Sequence, residues 1–142
     1  MSNALKVLLA CTLLAGGCAQ SVQSPQSLYA ELGGQAGIDR IVDGLLWEIA
    51  EDAEIRALFA DTDIQRFRNK LAEQLCAVSD GPCVYTGDSM RETHRHLAVT
   101  SAQFNRLVDD LIRVMERERI ATGAQNALLQ RLAAMRGDIV AE

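Results

Sequence analysis

Apolar residues recur at helical spacing along two long stretches of the chain. In each stretch they fall at positions i, i+3, i+4, i+7, i+8 and i+11. The first set is Ile38, Ile41, Val42, Leu45, Leu46 and Ile49, and the second is Phe104, Leu107, Val108, Leu111, Ile112 and Met115. This spacing predicts two amphipathic α-helices, each with one wide apolar face.

Shorter helices are predicted before and between these two. Ser27 can cap a short helix that ends at Gly33-Gly34, and another short segment covers residues 54–59. Asp61 or Asp63 can cap a further helix that Gly81-Pro82 ends. The apolar side of that helix consists of Ile64, Phe67, Leu71, Leu75 and Val78.

The second half of the chain carries further helix-start signals. Asp88 or Ser89 can cap a brief helix through about Leu97. The pairs Thr100–Gln103 and Thr122–Gln125 both fit a capping box. The last helix has an apolar stripe of Leu128, Leu132, Met135 and Ile139. No pair of strands is evident, so the predicted fold class is all-α.

The N-terminus has the features of an export signal. An apolar run, Val7–Leu14, follows the single charge of Lys6 and is too short to span a membrane as a stable helix. It leads to Ala15-Gly16-Gly17-Cys18, which resembles the lipobox of bacterial lipoproteins. An ordinary secretory signal remains the alternative. We therefore expect a signal peptide at 1–17, a tether at 18–26 and one globular domain at 27–142.

The lipobox resemblance implies a cellular location and a membrane as partner. Cys18 would be acylated and would anchor the exported chain to a membrane of the cell envelope. Ala19 follows the cysteine where an Asp would favour inner-membrane retention. The expected location is therefore the periplasmic side of the envelope, at the outer membrane in a Gram-negative cell.

Export also changes what the remaining cysteines indicate. Cys76 and Cys83 flank a turn, Ser79-Asp80-Gly81-Pro82, and would lie in an oxidising compartment. A disulfide is the simplest interpretation. A redox-active or metal-binding pair is the alternative, although the spacing matches no common zinc pattern.

Composition excludes several function classes. The 142 residues suit one domain, and a formal net charge of −5 without a basic stripe argues against nucleic-acid binding. The sequence contains no Gly-rich phosphate loop, nucleophile elbow, HExxH or Cys-x-x-Cys motif. An enzymatic role is therefore not indicated by any motif.

One of the two histidines shares a helix face with apolar residues. Met90, His94 and Leu97 stand at i, i+4 and i+7, whereas His96 points about 200° away. A neutral imidazole on an apolar face suits an axial haem ligand. A core histidine with ordinary hydrogen bonds is the alternative that periodicity alone favours.

Several motifs together resemble the group I truncated haemoglobins. They are Leu28-Tyr29-x-x-Leu32-Gly33-Gly34, Leu58-Phe59, and Gly81-Pro82-x-x-Tyr85-Thr86-Gly87. The most specific is Met90-x-x-x-His94-x-x-Leu97-x-Val99-Thr100-x-x-x-Phe104. The similarity covers residues 27–140 and implies a two-over-two globin that holds haem b.

The resemblance also implies residue roles around the haem. His94 matches the proximal iron ligand, and Phe59 matches a phenylalanine wedged against the haem face. Three further residues match apolar positions of the proximal side: Met90, Val99 and Phe104. Lys70 or Arg91 is expected to pair with a haem propionate, with a solvated surface charge as the alternative.

The distal side departs from the pattern of that family. The family often has a Phe-Tyr pair where this chain has Leu45-Leu46, so Leu46 replaces a tyrosine that hydrogen-bonds oxygen. Leu71 stands where a Gln often adds a second bond, and Phe67 occupies the position facing the iron. Gln74 is the one nearby polar candidate, with a side chain that points to solvent as the alternative. Because a hydrogen bond to a charged group contributes about 1.5–3 kcal/mol, its absence predicts weak oxygen retention.

The sequence favours a globin that reversibly binds O₂, NO or CO. An NO dioxygenase or peroxidase-like haem enzyme is the second hypothesis, and Phe67 and Leu71 offer it no proton-transfer group. An envelope redox or electron-transfer protein, whose redox partner the sequence does not identify, is the third. A globin-like lipoprotein without haem is the fourth.

Overall fold

A computed structural model of the chain describes residues 26–141. The signal peptide and Cys18, with its expected lipid, lie outside the described residues. The helices found in the described part are α1 (Leu28–Glu31), α2 (Gly34–Glu51), α3 (Ala53–Arg56), α4 (Ile64–Val78), α5 (Met90–His94), α6 (Ser101–Arg117), α7 (Thr122–Ala133) and α8 (Arg136–Ile139). A 3₁₀ turn, Ala57–Phe59, follows α3. The all-α prediction is confirmed.

Helix α2 forms the centre of the fold because it crosses both α4 and α6. Its buried positions are Gly37, Ile38, Ile41, Val42, Leu45 and Ile49, which is the predicted face apart from half-buried Leu46. Gly44 allows the close crossing of α2 with α6. A Cβ at Gly44 would lie 2.7 Å from Cγ1 of Val114, so a larger residue would push the helices apart.

Most of the predicted helix starts are confirmed. The Ser27 hydroxyl accepts from the Ala30 N–H, and the Asp63 carboxylate accepts from the Arg66 N–H. Thr100 and Gln103 form the expected capping box. Gly33 adopts φ 90°, a left-handed conformation that glycine tolerates, and so turns the chain from α1 into α2.

The Thr122–Gln125 capping box is wrong. Thr122 is already the first helical residue of α7, and Ala121 occupies the cap position without a side-chain hydrogen bond. The Gln125 amide instead donates to the carbonyl of Ile120 at 2.8 Å.

Two helices in the second half of the chain are shorter than the apolar pattern predicts. α5 stops at His94 and not near Leu97, because the chain turns there and Ala98 takes φ 46°. The final stripe is divided between α7 and α8. After α8 the chain returns to the segment behind His94, where the Ala141 N–H donates to the Val99 carbonyl at 2.9 Å.

Charged residues join α2 to α6 on the surface. Glu48 pairs with Arg113 and Arg117, and Asp52 pairs with Arg106. These guanidinium partners lower the pKa of both carboxyls. Within residues 26–141 no helix is long and apolar enough to cross a bilayer.

Candidate functional site

A cavity of about 460 Å³ opens between α4, α5 and α6. Its walls are mainly apolar side chains that are only half-buried in the protein alone, in contrast to the closed core under α2. These half-buried wall residues are Leu58, Phe59, Phe67, Leu71, Met90, Phe104, Leu107, Val108, Leu132, Met135 and Ile139. The fold therefore leaves a continuous apolar surface facing an open space, a feature typical of a ligand site.

His94 lies in the wall of this cavity. Its Nδ1 is 2.8 Å from the carbonyl oxygen of Met90, one helical turn earlier. A carbonyl can only accept, so Nδ1 carries a proton and donates it. When the ring is neutral, this hydrogen bond leaves the lone pair of Nε2 available to a metal.

The start of α5 is fixed by a capping box. The Ser89 hydroxyl accepts from the Glu92 N–H, while the Glu92 carboxylate accepts from the Ser89 N–H at 3.3 Å. The Ser89 hydroxyl also donates to the Glu92 carboxylate at 2.7 Å, and this bond, followed by the bond from the Ser89 N–H, lowers the pKa of the Glu92 carboxyl. Because α5 has only five residues, this cap helps to determine where its last residue, His94, points.

His96 has a different environment. It is exposed and is absent from the cavity wall, and the Arg95 Nε donates to its Nε2 at 3.1 Å. The predicted contrast between an inward His94 and an outward His96 is therefore what the structure shows.

Most of the residues expected at the site are brought together in the cavity wall. They are His94, Phe59, Met90, Val99, Phe104, Phe67, Leu71 and Lys70. On one side, the rings of Phe59 and Phe67 pack with centroids 4.9 Å apart. Phe67 and Leu71 lie on α4, which faces the α5 segment across the cavity.

Two expected residues lie elsewhere. Leu46 of α2 packs against the core, and its neighbour Leu45 lines the cavity in its place. Arg91 points outward and pairs with Asp138 of α8, so its expected propionate contact is not supported by its position. In both cases the adjacent residue lines the cavity: Leu45 beside Leu46, and Met90 beside Arg91.

Charged and polar groups gather at the rim of the cavity. The Lys70 ammonium lies 2.9 Å from the Glu73 carboxylate and contacts the Thr86 hydroxyl. Thr86 also donates its N–H to Glu73 at 3.1 Å. The Lys70 ammonium and then the Thr86 donors lower the pKa of the Glu73 carboxyl to about 2. Lys70 and Glu73 therefore form an ion pair at the rim, and Lys70 also lines the cavity.

Sequence reasoning missed Arg66 as a rim residue. Arg66 lines the cavity and its guanidinium lies 3.9 Å from the Asp88 carboxylate. Its signal was its position four residues before Lys70, which places the two cations on one face of α4. Gln74, whose orientation the sequence left open, also lines the cavity.

A disulfide ties the loop before α5 to the end of α4. Cys76 and Cys83 are joined with a Cα–Cα separation of 5.8 Å, as the sequence predicts. The tethered loop continues into Tyr85, which lines the cavity and whose hydroxyl donates to the Asp88 carbonyl at 2.8 Å. Burial raises the pKa of the Tyr85 hydroxyl. Among residues 26–141, no cluster of three His, Cys, Asp or Glu side chains is placed to hold a metal ion.

These features fit haem. The cavity supplies an apolar space for the porphyrin, one neutral imidazole for the iron, and cations at the rim for the propionates. His94 would hold the iron, and Lys70 and Arg66 are the cationic side chains of the rim. The donor set thus agrees with a single-histidine haem site.

Comparisons with known proteins give the same result. The family model for bacterial-like globins matches residues 27–141. A group 1 truncated haemoglobin of Nostoc sp. is 32% identical over 114 residues, which cover 80% of this chain and 97% of that protein. One from Synechocystis sp. is 28% identical over 115 residues, covering 78% of this chain and 90% of the relative.

Solved structures share the fold. The truncated haemoglobin of Tetrahymena pyriformis in its Fe(III) form superposes with a TM-score of 0.79 at 20% identity, covering 82% of this chain and all (100%) of that one. The 2/2 haemoglobin of Synechococcus sp., in the cyanomet state and with covalently attached haem, gives 0.76 at 21% identity, with 81% and 98% covered. Together with the cavity and its histidine, these matches show that the chain belongs to the bacterial-like globin family as a group I truncated haemoglobin, a two-over-two helical fold with haem as its cofactor.

Proposed function

We propose that this chain reversibly binds a diatomic gas, O₂, NO or CO, at the iron of haem b held by His94. The observation that carries the proposal is the hydrogen bond from His94 Nδ1 to the Met90 carbonyl, in a wall of an apolar cavity. This bond supports the proposal because it leaves Nε2 of the neutral ring free to bind a metal. The haem supplies the iron, and the surrounding side chains exclude water and orient the imidazole.

The wall opposite α5 supports easy release of oxygen. Leu45, Phe67 and Leu71 line the cavity there, and none of them can donate a hydrogen bond. A ligand with partial negative charge, such as O₂, gains most from such a donor, whereas CO gains little. We therefore expect faster release of O₂ than in a pocket with a donor, and little difference for CO.

The same wall favours gas binding over catalysis. An NO dioxygenase or a peroxidase-like enzyme benefits from a side chain that moves a proton near the reacting atoms. The polar groups of the rim are already engaged with one another, as in the Lys70–Glu73–Thr86 set. The Gln74 amide, which also lines the cavity from α4, donates to the sulfurs of Met90 and Met135.

Haem binding and its ligand are tested by absorption spectroscopy. Haem is titrated into the purified chain, and His94→Ala and His96→Ala are measured beside it. We expect a Soret band that saturates at one haem per chain, is retained in His96→Ala and is lost or strongly shifted in His94→Ala. Reversible shifts of the ferrous bands with O₂ and CO would then demonstrate gas binding.

Contrary results are equally clear. Identical spectra for His94→Ala and the unaltered chain would refute His94 as the ligand. A ferrous form that takes up neither gas would refute reversible binding even if haem were held. Steady NO consumption in the presence of O₂ and a reductant would favour the enzyme.

We also propose that the globin domain is attached to the cell envelope through lipid on Cys18. The support is the lipobox resemblance of Ala15-Gly16-Gly17-Cys18. Labelling of the expressed chain with a fatty acid, with Cys18→Ala as control, should give incorporation that the variant lacks. Label in both forms, or in neither, would contradict the anchor.

A further inference from the structure

The two sulfurs of the disulfide differ in accessibility. Cys76 belongs to α4 and has 0% of its surface exposed, whereas Cys83 is half-buried in the following loop, residues 79–89. Both neighbours of Cys83 are exposed, and Val84 has 76% of its surface exposed. Neither cysteine lines the cavity, so haem in the cavity would not cover the Cys83 sulfur. A thiol from solution can therefore reach Cys83 but not Cys76.

The disulfide is one of two attachments between loop 79–89 and α4. In the other, the Thr86 N–H and hydroxyl donate to the Glu73 carboxylate at 3.1 Å and 2.8 Å. Glu73 lies one helical turn before Cys76 on α4, and the Lys70 ammonium contacts both Glu73 and Thr86. The position of Thr86 against the rim therefore depends on the disulfide beside it.

One polar group in the closed loop is left without a partner. Among the residues that the structure describes, the fully buried Ser79 hydroxyl makes no hydrogen bond. Ser79 lies between the two cysteines, and its backbone bonds with Cys76 and Tyr29. A buried hydroxyl without a partner is costly, and opening of the loop would let water satisfy it. This cost favours an open loop once the covalent bond is broken.

We propose that Cys76–Cys83 is a thiol–disulfide exchange site for a dithiol, and that its reduction releases loop 79–89 and loosens the hold on haem. A thiolate of the dithiol attacks the accessible Cys83 sulfur, the S–S bond breaks, and the Cys76 sulfur leaves and takes up a proton. The second thiol of the reductant then attacks the reductant's own sulfur in the mixed disulfide and releases Cys83 as a thiol. Two electrons pass to the chain, and the dithiol becomes a disulfide.

The effect on haem rests on the haem site proposed above. Tyr85 and Gly87 line the cavity on either side of Thr86, and Lys70 lines it from α4. When the loop is released, Thr86 no longer holds the Lys70 ammonium against Glu73, and the wall at Tyr85 moves with the loop. Reduction should therefore speed haem loss about fivefold, the equilibrium worth of one ordinary hydrogen bond.

The exchange chemistry is tested on the folded, haem-loaded chain. Reduced glutathione, a monothiol, should be captured at Cys83 and not at Cys76, as peptide mass spectrometry after an acid quench would show. Dithiothreitol should then reduce the bond without denaturant, so that both thiols are trapped after the same quench. A glutathione adduct at Cys76, or a bond that is reduced only in denaturant, would overturn the site.

The link to the rim is measured in the same chain by amide hydrogen exchange and by haem transfer to an excess of an apoglobin. On reduction, the Thr86 N–H should lose protection roughly tenfold more than the Ile120 N–H, because its bond is to a charged acceptor that the released loop leaves. The Ile120 N–H donates to the Met115 carbonyl at the end of α6, away from the loop. Equal changes at the two amides would overturn the link.

Two variants separate this link from general weakening of the fold. Cys76→Ala/Cys83→Ala should lose haem fast with or without dithiothreitol, and any response to the reagent would report reduction of the iron. Val114→Ala removes methyl groups from the core, away from the loop and the cavity wall. If Val114→Ala lost haem as fast as the reduced chain, the effect would be one of stability alone and the proposal would be wrong. The exchange result at Thr86 does not depend on which residue binds the iron, so it stays interpretable if the assignment of His94 fails.

Discussion

Leu71 lines the cavity from α4, and a glutamine in its place would add an amide donor to a hydrocarbon wall. Leucine and glutamine are similar in size, so the replacement requires little repacking. A hydrogen bond to a ligand with charge is worth about 1.5–3 kcal/mol. At 1.4 kcal/mol per factor of ten, Leu71→Gln should slow O₂ release by roughly 10- to 100-fold.

Stopped-flow displacement of O₂ by excess CO measures this rate directly. Leu71→Met is the matched control because it alters shape and keeps the wall apolar, and its O₂ release should stay close to that of the unaltered chain. CO release should change little in either variant. If Leu71→Gln released O₂ as fast as Leu71→Met, the inference that the lack of a donor at position 71 limits oxygen retention would be wrong.

Three further outcomes are expected. Reduction of the Cys76–Cys83 disulfide, which joins residues 7 positions apart, should lower the free energy of unfolding by about 2.4 kcal/mol. The melting temperature should fall by about 10 °C. Calorimetry that shows no shift with dithiothreitol would contradict this expectation. The Glu73 carboxyl has a folded pKa of about 2 against 4.5, so its contribution is present above pH 4.5 and is lost as the pH falls toward 2. Glu73→Gln should therefore lose less stability than the unaltered chain over that range in urea titrations, and parallel curves would refute the assignment. Arg66→Ala should speed haem loss and Arg91→Ala should not, because only Arg66 lines the cavity. Equal rates of haem loss in the two variants would show that Arg66 does not bind a propionate.

The helices that build the core were predictable because their pattern is strong. A wide apolar face repeated over three turns leaves few alternatives, and both α2 and α6 form over the predicted stretches. In α6 only Leu111 and Met115 of the predicted face are fully buried, and Asp110 and Val114 are buried beside them. Caps such as Asp63 were predictable because a side-chain acceptor at that point satisfies a local N–H. These features depend on neighbours in sequence, which the chain itself displays.

The features that the structure corrects depend on tertiary packing. Leu45 and Leu46 stand 100° apart on α2, so the choice of the residue that reaches the cavity depends on where α4 and α6 cross. Arg91 forms an ion pair with Asp138, which lies 47 positions later in the chain, so no local sequence pattern relates the two residues. The break between α7 and α8 falls inside a regular apolar stripe, and the sequence offers no local stop signal there.

The candidate site shows the same division. His94 was identifiable because apolar neighbours at i−4 and i+3 mark an inward face, and the family motif adds spacing around it. The bond between its Nδ1 and the Met90 carbonyl follows from the helical turn that joins them. The contacts of Gln74 with Met90 and Met135 join three separate elements, so they became visible only in the folded chain.

The half-buried apolar wall also makes haem a component of the folding equilibrium. A cofactor that binds only the native state stabilises it by mass action, by about 4 kcal/mol when its free concentration is 1,000 times its dissociation constant. A chain that lacks haem leaves the cavity of about 460 Å³ unfilled and opens more often to proteases. The steady amount of this globin in a cell should therefore follow the supply of haem, even when its synthesis is constant.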